Sequence, residues 1–337
     1  SLPFVLDLSD RLDYGSPNEL HVRLDNRDNP VTGPKPLEIL DFNTYGGLYR
    51  DVHLSVRNSL HISDEILADK IGSGGVFVTF PRVGEDRAIV RVQTHVENTG
   101  ATERAFVVQQ RLVGPGGGEF SSSSGEVRLE PGGDREVVVS VRVPQPRLWA
   151  PRSPALYGLV TRVVEGGVVV DTRETRIGIR HIDFAVDGFR INGQKMFLRG
   201  VNRHQEYPYV GYALSNAANY RDAKRIKEAG FDYVRLSHYP HSPAFMDAAD
   251  ELGLVLLDAI LGWQYFNEAP EFSAHAFQTC RDLVRRDRNH PSVIAWECSL
   301  NESGMPATFI EQMNRIVHEE YPGDQAYSAG WVSEGYD

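Results

Sequence analysis

The sequence predicts a multidomain protein, all-β in its first half and α/β in its second. Three observations carry this reading. Up to about residue 181, short runs of alternating polar and apolar residues recur between glycine, proline and asparagine turns, the pattern of half-buried strands. From about residue 182, apolar runs and helical periods alternate without a break, which calls for parallel β/α units. Within that second part, Ser292 to Ser303 opens as an apolar, β-branched run with no helical period and ends in Asn301-Glu302. That is how a buried parallel strand reads, with its polar pair where the chain leaves the sheet.

Composition sets bounds. A chain of 337 residues is too long for one ordinary domain, and its hydrophobic fraction of 41% supports a sizeable core. No apolar run approaches the length of a membrane span, and a net charge of -11 argues against nucleic acid and anionic membrane as partners. Cys280 and Cys298 form no disulfide framework and no metal-type spacing. No export signal is visible at the start. The compartment stays open, cytoplasmic or exported, and so does oligomeric state, a homo-oligomer included.

Residues 1–57 read as the tail of a β-sandwich. Glu19 to Leu24 alternates, Asn26 to Pro36 is a loop, and Tyr45 to Leu54 is a glycine turn running into a second alternating strand. Too few strands are present to close a sandwich alone. Residues 58–181 predict an immunoglobulin-like sandwich, with strands at Ala88–Val96, Ala105–Leu112, Glu136–Val143, Leu156–Val164 and Val168–Thr175. The last two pair across Glu165-Gly166-Gly167, a hairpin signal. Ser121 to Ser124 is expected to be a solvated loop.

Residues 182–337 predict the first half of a (β/α)₈ barrel. Strands are expected at Met196–Val201, Tyr233–Ser237, Leu254–Asp258, Val293–Cys298 and Gln325–Ser328. Helices are expected at Asn219–Ala229, Pro243–Leu252, Phe272–Arg288 and Ala307–Glu320. About four and a half units result, short of the ~250 residues of a full barrel.

In such a barrel the carboxyl ends of the strands converge on one mouth. Here those ends carry Asn202 to Glu206, Ser237 to Pro240, Asp258 with Trp263-Gln264, and Asn301-Glu302. Histidine, asparagine, indole and carboxylate suit a polyhydroxylated ligand. A carboxylate among apolar walls can have its pKa raised enough to donate a proton, which makes Glu302 a candidate general acid/base. Plainer readings stand beside these: Asn-Glu as a turn, a histidine satisfied structurally, Trp263 wedged under a loop.

Gly200 to His204, Val234 to Pro240 and Trp296 with Leu300-Asn301-Glu302 together resemble family 2 of the glycoside hydrolases, the β-galactosidase and β-glucuronidase group. Tyr45 to Val52 resembles that family's glycine-turn motif, and the domain order agrees. The resemblance implies a retaining exo-glycosidase with Glu302 as acid/base and Asn301 on the hydroxyl beside the reacting carbon. It also implies that His204, His238 and Asp41 bind substrate hydroxyls, with Trp263 a sugar platform and Arg235 supporting the carboxylates. Asp41 also fits a plain turn residue.

Retention requires a second carboxylate, which the resemblance puts at the end of strand seven. At roughly 30 residues per unit, that strand would start well beyond Asp337, so the chain alone is expected to be inactive. Glu334 comes too early to be the nucleophile, and Glu297, inside strand four, reads as a support residue. Some members of the family hold magnesium after strand three. Asp258 to Gln264 offers no such ligands beyond Asp258, so no catalytic metal and no cofactor are expected. β-Galactosidase leads among specificities, because Arg203 is the one evident extra cation at the strand tips. β-Glucuronidase, β-mannosidase or an algal-galactan glycosidase, and a non-catalytic carbohydrate-binding or scaffold protein, remain alternatives.

Overall fold

A computed structural model describes residues 2–33 and 39–337. Residues 58–181 form two antiparallel sheets. In one, the long strand Arg87–Asn98 is flanked by Asp134–Pro144 and, on its other edge, by Leu60–Ile62 and Val76–Arg82. In the other, Tyr157–Glu165 lies between Val168–Ile177 and Arg104–Val113. Val90, Val92, Val139 and Val141 of the first sheet pack against Phe106, Leu112, Leu159 and Val163 of the second in one buried cluster. Along Asp134–Pro144 buried and exposed residues alternate, as the two-residue period of a strand requires. Each fully buried Val or Leu contributes roughly 1.5–3 kcal/mol.

The second half is a parallel sheet. Its elements are β1 (Gly200–Arg203), α1 (Asn216–Glu228), β2 (Tyr233–Leu236), α2 (Pro243–Leu252), β3 (Val255–Ala259), α3 (Pro270–Asp287), β4 (Val293–Glu297), α4 (Ala307–Glu320) and β5 (Ala326–Tyr327). The strands lie in the order β1-β2-β3-β4-β5, all parallel, so their carboxyl ends share one rim. An antiparallel hairpin, Ile182–Ala185 with Gly188–Ile191, has no counterpart in the sequence reading. Its Ile182, Phe189 and Ile191 pack with Val255 and Ile294 at the opposite, amino-terminal ends of the strands.

The two halves are joined by side chains that reach across. Arg180 donates to the carbonyls of Pro291 and Val293 at 2.6 and 2.7 Å. Arg288 donates to Ser73 and Gly74 oxygens at 2.7 and 2.6 Å. Asn289 donates to Val76 and accepts from Val78 N–H. Gly178 lies at this seam, where a Cβ would stand 2.7 Å from Pro291, so only glycine lets the backbones approach.

Four expectations are corrected. Among the described residues of 2–57 there is a 3-10 turn at Ser9–Arg11 and no strand. Glu19–Leu24 and Tyr45–Leu54 alternate as strands do but gain no partner, and Leu20, Leu24, Val52 and Leu54 stay exposed. Without a neighbour there is no ladder to hold the extended form. The predicted loop Asn26–Pro36 falls partly outside the described residues. Ser121–Ser123 belongs to a strand, Glu119–Ser123, whose backbone pairs with Gln109–Val113. The first barrel strand begins at Gly200 rather than Met196, and Met196 packs with the hairpin cluster. Cys280 on α3 and Cys298, the residue after β4, form a disulfide, both fully buried; two cysteines 18 residues apart gave no sign of it in the sequence.

Candidate active site

Strand parity decides which side chains meet at the rim. On β2, Val234 and Leu236 are buried in the core between sheet and helices, so Arg235 faces the other way. Its Nε donates to Glu297 Oε2 at 2.6 Å, and Nη2 binds the second Glu297 oxygen. The same Nη2 donates to Asn301 Oδ1 at 2.8 Å. Glu297 is 1% exposed, so the pair is a buried, bidentate ion pair. The Asn301 amide is fixed by it, with its NH₂ turned away from Arg235.

The loops after β3 and β4 are zipped together. Asn301 N–H donates to Gly262 O, Gln264 N–H donates to Asn301 O, and Trp263 bridges Asn301 in parallel register. A Cβ on Gly262 would stand 2.4 Å from Leu300, so the loops meet this closely only because residue 262 is glycine. Gln264 and Glu302 both have positive φ, and Gln264 Nε2 donates to Glu302 Oε2 at 2.6 Å. Glu302 is exposed. It does not stand behind the apolar walls expected of it; the Gln264 amide donates to it instead.

A second group comes from β1, β2 and the amino-terminal segment. Phe42 sits with its ring centroid 5.4 Å from His204, 6.0 Å from His238, 5.5 Å from Tyr239 and 6.1 Å from Trp263. The two imidazoles lie edge to face, 5.4 Å apart. Asp41, adjacent to Phe42, is exposed, and its charge reaches His204. Asn43 donates from its backbone and side chain to Glu206, tying this segment to the loop after β1. Burial lowers the His204 pKa against the opposing charges of Asp41 and Glu206. Burial, then Arg235 and His204, bring His238 down to about 4. Both imidazoles are therefore neutral near pH 7.

The structure thus brings His204, His238, Trp263, Asn301, Arg235 and Phe42 into one connected neighbourhood, with Asp41 and Glu302 on its exposed margin. Trp263 is 6% exposed and meets Phe42 edge-on, which makes it a wall and not an open platform. Two expected tip residues face elsewhere. Asp258 is fully buried, its pKa raised well above normal by burial and by the charge of Asp287 on α3. Arg203 points into the helix layer, donating to Asp222 at 2.9 Å over the Phe245 ring. Both follow from the two-residue strand period. Sequence reasoning missed Tyr239, Gln264 and Phe42 as site residues. The first two lay inside quoted motifs; Phe42 carried no signal beyond its neighbour Asp41.

Asp247, Asp250 and His290 place ligand atoms within 4.8 Å of one another. They are engaged with each other and with arginine: His290 Nδ1 meets Asp250 at 2.6 Å and Arg176 meets Asp247 at 2.7 Å. Burial opposes protonation of His290, but the Asp250 charge and hydrogen bond outweigh it and push the pKa up to about 9. A protonated imidazole is not a metal ligand.

Residues 74–180 match the family described as glycosyl hydrolases family 2, and residues 184–322 match its TIM barrel domain. A β-galactosidase of Thermoanaerobacter pseudethanolicus is 30% identical over 94% of this chain and 41% of its own. A β-glucuronidase of Bacteroides fragilis is 29% identical over 97% of this chain and 47% of its own. The crystal structure of a Bacteroides uniformis β-glucuronidase superposes with a TM-score of 0.79 at 25% identity, covering 90% of this chain and 38% of that one. The chain spans less than half the length of each of these relatives.

Proposed function

Because the chain belongs to family 2 of the glycosyl hydrolases, we propose that it carries the acid/base side of a retaining exo-glycosidase acting on terminal β-linked sugars. The observation that supports this best is the zipped pair of loops. It sets Asn301 and Glu302 beside Trp263, whose neighbour Phe42 touches both imidazoles. Glu302 protonates the glycosidic oxygen as the bond breaks, then takes a proton from water in the second step. The Asn301 NH₂ donates to the hydroxyl next to the reacting carbon, while His204, His238 and Asp41 bind other hydroxyls. The nucleophile of a retaining pair stands about 5–5.5 Å from the acid. Glu297 is committed to Arg235, and Glu334 is exposed on a short turn after β5, so neither is given that role.

β-Galactoside is the proposed substrate class. A glucuronide brings a carboxylate that needs a cation, and the guanidinium groups nearest the rim are engaged. Arg203 holds Asp222, Arg235 holds Glu297 and Asn301, and Arg50 holds Gln205. β-Glucuronide is the second reading, favoured by the comparable identity to proteins named for it.

The test is the full-length protein containing this chain, assayed on aryl β-galactoside and aryl β-glucuronide. Its Glu302→Gln variant is then assayed on a natural disaccharide. The variant should lose about 10²–10⁴-fold on the disaccharide and much less on an activated aryl glycoside, whose leaving group needs little acid. Disaccharide cleavage at the unmodified rate ends the assignment.

A further inference from the structure

We infer that His241 is a positioning residue whose buried ring is the spacer that holds His204 and His238 at the separation in which both meet one sugar. The role rests on the proposed reading of this mouth as a sugar site. It works through the main chain that carries each imidazole.

His204 follows the last residue of β1, and His238 lies in the turn between β2 and α2. His241 belongs to that same turn and is fully buried. Its Nε2 lies 3.0 Å from the carbonyl oxygen of Arg203, the residue before His204. Its Nδ1 lies 2.9 Å from the carbonyl oxygen of Tyr239, the residue after His238. One ring thus spans from the main chain beside one imidazole to the main chain beside the other. A carbonyl only accepts, so an N–H of the ring donates to one of these two oxygens. Burial, then the Arg203 charge, keep the ring neutral near pH 7, with one such proton to give. The rigid width of the imidazole sets the distance to the second carbonyl.

Packing leaves the ring no room to turn. It stacks on Tyr239 at 5.3 Å and 16° and meets Phe245 of α2 at 6.0 Å. Arg203 places its guanidinium over the same Phe245 ring, so both ends of the bridge share one floor. The residue on the other side of His204 is tied to the same turn. Gln205 N–H donates to the Tyr239 hydroxyl at 3.1 Å, and Gln205 Oε1 accepts from Ser242 N–H at 3.0 Å. The turn after β2 therefore grips the chain both before and after His204. The two sugar-facing rings come out edge to face, 5.4 Å apart.

His241→Phe keeps a flat ring in the same place and removes both nitrogens. In crystals of the full-length protein, the separation and angle of the His204 and His238 rings should differ between this variant and the unmodified protein. An unchanged pair overturns the inference, whether or not any sugar is turned over.

The consequence for substrates is read with the aryl β-glycoside that the full-length protein cleaves best and with its monodeoxy analogues. His241→Phe should lower kcat/KM on the parent glycoside by about 10–10²-fold, the cost of moving binding groups by about 1 Å or less. The hydroxyls held by the two imidazoles are those whose removal costs the His204→Ala or His238→Ala variant little further. On deoxy sugars lacking one of them the His241→Phe penalty should shrink several-fold, and on the other deoxy sugars it should stay as on the parent. An equal penalty on every sugar is that of a merely structural residue and overturns the positioning role, as does no penalty at all. His241→Gln keeps a donor without the ring and is held to the same comparison if His241→Phe fails to fold. If the unmodified protein cleaves no glycoside, the glycosidase reading fails while the crystal comparison still decides the spacing.

Discussion

Gln264 donates its side-chain amide to Glu302 at 2.6 Å, and the two residues hold nearly the same left-handed backbone, φ 48° and 51°. Neither is glycine or asparagine, the residues that adopt this region readily. Two adjacent loops thus store strain at the point where the proposed proton donor stands. The zipper between residues 262–264 and 301 supports both conformations.

Gln264→Ala should cost about tenfold in kcat on a natural disaccharide, the worth of one hydrogen bond to a charged group. KM should change little, because the amide is expected to orient the carboxylate and not to bind sugar. Steady-state kinetics of the full-length protein on disaccharide and aryl glycoside check this. An equal loss on both substrates would place the effect elsewhere.

Arg235→Leu leaves Glu297 buried and unpaired. Removing one partner of a buried ion pair costs roughly 3–5 kcal/mol, and the Asn301 amide loses its anchor as well. Urea denaturation should show a destabilisation of that order. The double variant Arg235→Leu with Glu297→Leu should recover much of it, since the stranded charge is gone.

Two histidines give stability opposite dependence on pH. His290, raised to about 9 by Asp250 against the opposing effect of burial, is protonated in the folded state over a wider range than in the unfolded one. Its contribution, at most roughly 3 kcal/mol, is complete below about pH 6.5 and is lost as pH rises through about 9. His238, lowered to about 4 by burial and by Arg235, binds its proton more readily when unfolded. Its contribution is complete above about pH 6.5 and is lost as pH falls toward 4. Thermal melts should therefore fall off on both sides of neutrality, and His290→Gln should flatten the alkaline limb selectively.

The Cys280–Cys298 bridge closes a loop with a sequence separation of 18. A bridge of that span is worth about 3 kcal/mol through the unfolded chain. Cys280→Ala with Cys298→Ala should lower stability by up to that amount. Both sulfurs are buried, so alkylation of the reduced protein should follow global unfolding. Rapid labelling of the reduced but still folded protein would contradict the burial.

The helices and the later strands of the α/β half were legible because each has a local cause; the hairpin at Ile182–Ile191 was not read. α2 runs from Pro243 to Leu252 as read, since proline opens it and Gly253, at φ 72°, closes it with a left-handed cap. The alternation in Glu19–Leu24 is just as regular, yet no strand forms there, because a strand needs a partner that its own residues do not supply. Ser121–Ser123 failed in the other direction: its pairing is through the backbone, and serine side chains give no hint of it. At the rim, residue types were readable but directions were not. Arg203 and Asp258 belong to the right strands and point to the wrong layer. The Gln264–Glu302 and Tyr239–His204 contacts join residues far apart in the chain, which no local pattern announces.

At the seam between the two halves, Arg180, Arg288 and Asn289 send side-chain donors to main-chain oxygens. A carbonyl is the same acceptor whatever residue bears it. The segments that receive these donors, 73–76 and 291–293, can therefore drift in sequence without loosening the joint. These three side chains, and the absence of one at Gly178, hold the domain arrangement together with cross-half contacts such as Arg176–Asp247, Arg285–Asp69 and Trp149 to the Asp250 carbonyl.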